Sequence, residues 1–293
     1  MNHKKIRKIK SVNLDLQRKV VAHMTSLSWK NIPHVGYHYE PDITTFYEKT
    51  KNQPHIAFNS QLLKIMVEAL KAAPELNGIL DYNDRTTTGT LHVLKEINIS
   101  LPWTLEDGRM ITPVISNCED LSLESLNAET IKLAKKIKNT NIDELLYKTA
   151  LANTVTQLKS LKFGCLFSVA ASKISKNPIK GLSGQNKKSY YQIPSHERLT
   201  ENDLLKGTVT ISNIGSLYKG QKGAFTLLEI IPPQVFAIGI GAIQEKPGVF
   251  INQFGRKDIG IRKTLPLCLA FDHRAFDFNT VVPFLKKLDE LFK

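Results

Sequence analysis

Leu265-Pro266-Leu267-Cys268-Leu269-Ala270-Phe271-Asp272-His273-Arg274-Ala275-Phe276-Asp277 is a continuous apolar run that ends abruptly in ionisable side chains. The run Leu265 to Phe271 predicts a buried strand, because a strand covered on both faces shows no polar alternation. The amphipathic pattern Thr280 to Phe292 predicts a closing helix, with Val281, Val282, Phe284, Leu285, Leu288 and Phe292 apolar and Asn279 as its cap. The ionisable cluster therefore lies in a loop at a strand end, where functional side chains commonly sit. A histidine there is suited to exchange a proton near neutral pH. Asp272, Arg274 and Asp277 are close enough in sequence to pair, fix the loop and set the imidazole tautomer. From these residues alone, the cluster is either a structural ion-pair node or the site of a general base.

A second stretch, Gly207-Thr208-Val209-Thr210-Ile211-Ser212-Asn213-Ile214-Gly215, reads as a strand over Thr208 to Ser212 that ends in hydroxyl, amide and glycine. Ser212 is placed to donate a hydrogen bond to a developing oxyanion. The same residues also suit an ordinary turn. They do not form a nucleophile elbow, which disfavours a serine-hydrolase triad. Val235 to Ile240 is a third short buried strand, and Gly239-Ile240-Gly241 is too short for a dinucleotide fingerprint. Further outward, helical spacing marks Asp15 to Trp29, a helix capped by Asn59 and ended by Pro74, another from the Ser122 cap to Asn139, and a fourth over Asp143 to Leu161. Gly36 to Tyr39 and Thr90 to Leu101 read as strands, and Ser172 to Glu197 reads as a loop-rich excursion.

The chain has 293 residues, 42% apolar and 23% charged, which excludes a disordered polymer and supports a large core. Its formal net charge of +13 is spread over many lysines, without interleaved aromatics or a helix-turn-helix signature, so nucleic acid is not an expected partner. No apolar run approaches the ~18 residues that span a bilayer. The basic N-terminus is followed by polar rather than apolar sequence and is no secretory signal. Three scattered cysteines form neither a disulfide framework nor a metal-ligand spacing, so the expectation is a cytoplasmic protein with no metal.

The motifs taken in order resemble the catalytic domain of the dihydrolipoyl acyltransferases of 2-oxo acid dehydrogenase complexes. The resemblance is carried by Ile32-Pro33-His34, Asp42-Ile43-Thr44, Pro74-Glu75-Leu76-Asn77, Pro113-Val114-Ile115 with Leu121-Ser122-Leu123, and Leu199-Thr200 through Leu204-Leu205-Lys206-Gly207-Thr208 into Thr210-Ile211-Ser212-Asn213-Ile214-Gly215. It continues through Pro232-Pro233-Gln234 and ends in Asp272-His273-Arg274-x-x-Asp277. It implies an α/β (α+β sandwich) fold like chloramphenicol acetyltransferase, a mixed sheet with flanking helices, with residues 1–293 as a single catalytic domain.

The resemblance also implies a mechanism. His273 is the general base that deprotonates the thiol of coenzyme A or of dihydrolipoamide, Ser212 is the oxyanion donor, and Asp277 assists. Asp272 and Arg274 hold the loop, and Asn213 and Gly215 contact coenzyme A. The expected assembly is a homotrimer, or a larger set of trimers, with sites between subunits. The sequence departs from the family at Phe278, where glycine usually follows the second aspartate. It also carries no recognisable lipoyl domain, subunit-binding domain or Ala/Pro-rich linker, so the lipoyl group is expected in trans from a separate lipoyl-domain protein. Two other readings keep the fold: a coenzyme A-dependent transferase acting on a small hydroxyl or amine acceptor, and a non-catalytic scaffold.

Overall fold

The computed structural model describes residues 9–149 and 181–293. In chain order its elements are Leu16–Asn31 (α1), His34–Tyr39 (β1), Thr44–Lys51 (α2), Phe58–Ala72 (α3), Gly78–Asn83 (β2), Thr88–Val93 (β3), Ile99–Ser100 (β4), Trp103–Thr104 (β5), Met110–Ile111 (β6), Val114–Ile115 (β7) and Leu123–Lys138 (α4). A helical stretch follows over 142–149. Then come Gly184–Gln192 (α5), Val209–Asn213 (β8), Phe236–Ile240 (β9), Gln244–Ile251 (β10), Lys257–Thr264 (β11), Leu267–Asp272 (β12) and Phe278–Leu291 (α6).

The three apolar runs of the sequence become the middle of a six-stranded mixed sheet of order β1-β12-β9-β8-β4-β7. Here β9 runs parallel to β8 and antiparallel to β12. Val209, Ile211, Phe236, Ile238, Ile240, Leu267, Leu269 and Phe271 belong to one hydrophobic cluster with the apolar faces of α3, α4 and α6, which reaches from Ile43 to Phe292. The result is an α/β architecture, a mixed sheet flanked by helices.

The opposite face of the sheet is built of small residues. Gly36 pairs with Ala270, which pairs with Ala237, and one row on Cys268 pairs with Gly239, which pairs with Ser212. The segment around residues 224–231 lies on this face. A Cβ on Gly36 would stand 2.6 Å from the Thr226 carbonyl oxygen, so only glycine permits that approach. The Ile230 N–H donates to His34 Nε2 at 3.0 Å, and the Ser28 hydroxyl donates to the Ile230 carbonyl at 2.6 Å.

Local signals held where a side chain was free to cap. The Asp15 carboxylate accepts the Arg18 N–H at 2.7 Å, and the Ser122 hydroxyl accepts the Ser125 N–H at 3.1 Å. Two expected caps are corrected. Helix α3 starts at Phe58 after Ala57, because Asn59 instead accepts from the Asn213 amide. Helix α6 starts at Phe278 after Asp277 rather than behind Asn279; the Asp277 carboxylate makes no capping bond and turns toward His273.

The strand expected over Thr90 to Leu101 is two strands, β3 and β4. The Asn77 amide holds the break between them by donating to the Leu94 and Glu96 carbonyls at 2.9 and 3.0 Å. Within the expected loop of 172–197, α5 is a helix despite weak propensity. Tyr190 is buried, the Tyr191 hydroxyl donates to Glu144 at 2.6 Å, and the Arg198 guanidinium stacks on both rings. The rest of that loop, 172–180, and the end of the fourth expected helix, 150–161, lie outside the described residues.

Asp203 ties the segment before β8 to α4. Burial opposes its ionisation, but Lys136 at 2.7 Å and the Thr200 hydroxyl and N–H outweigh that, leaving its carboxyl below the ordinary range. A carboxyl depressed in the folded state stabilises above its unfolded value of about 3.9, and that contribution is lost as pH falls through the folded value. The Asp203→Asn protein is therefore expected to lose stability less steeply than wild type below about pH 4, checked by urea midpoints across an acid series.

Candidate active site

Residue Asp272 ends β12 on the small-residue face and is 1% exposed. Its carboxylate accepts from Arg274 three ways: backbone N–H at 2.9 Å, Nε at 3.1 Å and a guanidinium nitrogen at 2.8 Å. The hydrogen bonds donated to Asp272 raise the Arg274 pKa further, keeping this guanidinium charged, and it also lies over the Tyr82 ring at 5.3 Å. This pair folds the chain back immediately after the strand and presents His273.

The His273 backbone N–H donates to the Pro33 carbonyl at 3.0 Å, while its ring is half exposed. Nδ1 faces the Phe276 carbonyl at 3.4 Å and Asp277 Oδ1 at 3.3 Å. Both neighbours are acceptors, which favours a proton on Nδ1 and leaves Nε2 as the basic nitrogen. Phe278 is 40% exposed and packs against Tyr37 with ring centroids 4.8 Å apart.

Ser212 occupies the other end of the sheet. It lines a cavity of about 300 Å³ with Leu63, Leu101, Trp103, Met110 and Leu217, and its hydroxyl has no hydrogen-bond partner among the described residues. Asn213 and Gly215 line an adjoining cavity of about 530 Å³ with Tyr47, Lys219, Glu245 and Lys263. The Asn213 amide donates to Asn59 Oδ1 at 2.8 Å, and both residues line both cavities. Gly215 is held to glycine by contact, since a Cβ there would lie 2.4 Å from the Gly241 carbonyl oxygen.

Strand register separates the two halves. Ser212 lies in the row of Gly239 and Cys268, and His273 lies five residues beyond Cys268 on a strand two places away. At strand dimensions that is roughly 17 Å along the sheet and about 10 Å across it. Proton transfer needs contact at about 3 Å, so His273 and Ser212 of one chain cannot meet at one reacting group. The structure thus brings Asp272, His273, Arg274 and Asp277 together, brings Ser212, Asn213 and Gly215 together, and keeps the two groups apart.

The cavity walls Trp103, Met110, Leu217 and Lys219 carry no signal in the sequence, and Asn59 reads there only as a helix cap. They converge from α3, the β5–β6 hairpin and the segment after β8, and no local spacing links them. Neither described cysteine offers a thiolate for the chemistry: burial pushes the Cys118 thiol up to about 12 and the Cys268 thiol up to about 11. Among the described residues, no group of three or more His, Cys, Asp or Glu is placed to hold a metal.

Against known proteins, residues 7–153 and 185–293 match the family described as 2-oxoacid dehydrogenases acyltransferase (catalytic domain). The chain is 25% identical over 274 residues to the dihydrolipoyllysine-residue acetyltransferase component of the pyruvate dehydrogenase complex of Corynebacterium glutamicum, covering 93% of this chain and 30% of that protein. It is 25% identical over 248 residues to the dihydrolipoyllysine-residue succinyltransferase component of the 2-oxoglutarate dehydrogenase complex of Azotobacter vinelandii, covering 84% of this chain and 44% of that protein. The chain thus spans less than half the length of these relatives. Among solved structures, the dihydrolipoamide acetyltransferase of Azotobacter vinelandii shares the fold with a TM-score of 0.66 at 21% identity, covering 100% of this chain and 94% of that one. That structure belongs to a crystallographic and enzymatic investigation of a serine, a histidine and an asparagine in its catalytic mechanism.

Proposed function

This chain belongs to the 2-oxoacid dehydrogenase acyltransferase family, as its catalytic domain, and from that premise we propose that it moves an acyl group between coenzyme A and a dihydrolipoyl thiol at a site assembled from two copies of the chain. One observation carries the reading. A histidine with one ring nitrogen engaged stands at the opposite end of one sheet from a cavity-lining serine whose hydroxyl has no partner among the described residues, so a second copy completes each site.

In that site, His273 Nε2 of one copy takes the proton of the attacking thiol, and the thiolate adds to the thioester carbonyl. Negative charge moves onto the carbonyl oxygen, and the Ser212 hydroxyl of the other copy donates to it. Collapse of the tetrahedral species breaks the original C–S bond, and the departing thiolate recovers the proton from His273. The Phe276 carbonyl and Asp277 stabilise the imidazolium while it carries that proton. No acyl-enzyme forms. Asn213 and Gly215, on the wider cavity, are the assigned contacts to coenzyme A, and the dihydrolipoyl group is the other thiol substrate.

Self-association has a surface suited to it. The β10–β11 hairpin pairs Val249 with Ile259 and Pro247 with Ile261, and Val249, Ile251, Phe254, Ile259 and Ile261 are 63–75% exposed. Apolar patches of this kind mark contact surfaces. Glu245 and Lys263 at the base of this hairpin also line the cavity beside Asn213, so a copy seated there borders the site. We assign the assembly as a homotrimer.

The direct test measures thiol release from acyl-coenzyme A donors with and without dihydrolipoamide. Release that depends on the dithiol supports the reading, and release that requires a hydroxyl or amine acceptor instead overturns it. Ser212→Ala is expected to lower kcat by about 10² to 10³ with little change in KM, as for other oxyanion donors. Co-expressing Ser212→Ala with His273→Ala is expected to restore measurable turnover, since some sites then pair an intact histidine with an intact serine. Mixed assemblies as inactive as either parent would show that both residues act from one chain.

A further inference from the structure

We infer that the acyl group handled here is uncharged and apolar, an alkanoyl group rather than the half-thioester of a dicarboxylic acid; this rests on the acyl-transfer reading above. An oxyanion donor lies about 3 Å from the carbonyl oxygen it serves, which puts the acyl group next to the cavity that Ser212 lines, and we place its tail there. That cavity is walled by Leu63, Leu101, Trp103, Met110 and Leu217, and no ionisable side chain lines it among the described residues. Its polar groups are neutral: the Ser212, Ser216 and Thr104 hydroxyls and the Asn59 and Asn213 amides, the last two bonded to each other. A volume of about 300 Å³ has room for acetyl and for branched alkanoyl groups alike.

A second carboxylate in this cavity would be desolvated without a cation to pair with. The ionisable groups nearby lie in the wider adjoining cavity, beyond the Asn59–Asn213 bond: Lys263 is already paired with Glu245 at 2.7 Å, and Lys219 lines that cavity and not this one. The histidine-bearing surface of the second copy does not supply a free cation from its own loop either. Arg274 is bound to the buried Asp272, while Asp277 adds a negative charge and Phe278 an exposed ring. The two relatives described above carry acetyl and succinyl groups by name at equal identity to this chain, so relatedness alone does not choose between them.

The experiment compares kcat/KM for acetyl-, isobutyryl-, isovaleryl- and succinyl-coenzyme A with dihydrolipoamide as acceptor, using the full chain. Succinyl transfer is expected to lie on the order of a hundredfold below the best alkanoyl donor, the scale of an unpaired buried charge. Succinyl transfer within about tenfold of the best alkanoyl donor would overturn the inference and leave the acyl-transfer reading standing. No release with any donor would overturn the reading itself, and the inference with it. A second variant reads the cause: Met110→Lys puts a cation at the cavity wall and is expected to narrow the succinyl deficit about tenfold or more. An unchanged ratio in a Met110→Lys protein that still melts cooperatively would count against charge as the discriminating feature.

Discussion

His273→Ala is expected to lower acyl transfer by about two to four orders of magnitude while leaving the fold intact, the range set by loss of a positioned general base. The ring is half exposed, and its polar contacts are two long ones, to the Phe276 carbonyl and Asp277. The hydrogen bond that ties this position to Pro33 uses the backbone N–H, which alanine keeps. Stability and assembly should therefore match wild type in denaturant titration and sedimentation, while single-turnover thiol release collapses. Substrate affinity should change little, because the imidazole serves the transition state more than the ground state. Turnover within a few-fold of wild type would remove His273 from the mechanism and leave the fold without its proposed base.

Asp272→Ala is expected to do the reverse, with its main effect on folding: a loss of about 3–5 kcal/mol, as when one partner of a buried ion pair is removed. Asp272 is 1% exposed, and its carboxylate accepts the Arg274 backbone N–H together with the guanidinium. Alanine leaves that guanidinium, itself 22% exposed, beside an apolar sheet end with the Tyr82 ring as a remaining partner. The readout is the urea midpoint, which should fall with unchanged slope. Activity should fall as well, since the turn that presents His273 is built on this pair. A midpoint shift worth less than about 1 kcal/mol would show that Arg274 finds adequate solvation elsewhere.

These two substitutions separate neighbouring residues that look alike in sequence. Both lie in one polar cluster at the end of an apolar run, and their chemistry alone assigns neither as structural or catalytic. Burial sets them apart, with Asp272 sealed under the strand end and His273 facing outward. The same distinction explains the misplaced caps. Asn59 and Asn279 have the composition of helix caps, but Asn59 is engaged by Asn213 across 154 positions of chain, a competition that no local window contains. The β10–β11 hairpin was missed for a related reason. Its exposed face is apolar and its inner face carries Gly248, Gly260 and Arg262, so the usual polar-out alternation is absent.

The amino-acid sequence by itself determined the three buried central strands, the helix α1, the apolar faces of α3, α4 and α6, and, through the order of its motifs, the family. These are readable because helix periodicity and continuous strand hydrophobicity are short-range properties of the chain. Only the tertiary structure decided that the two functional motifs point away from each other. Each sits at the carboxyl end of its own strand, but β9 lies parallel to β8 and antiparallel to β12, so those ends fall on opposite edges of the sheet. Strand direction is set by pairing between segments far apart in the chain, and that pairing is why one chain holds the His273 and Ser212 groups apart.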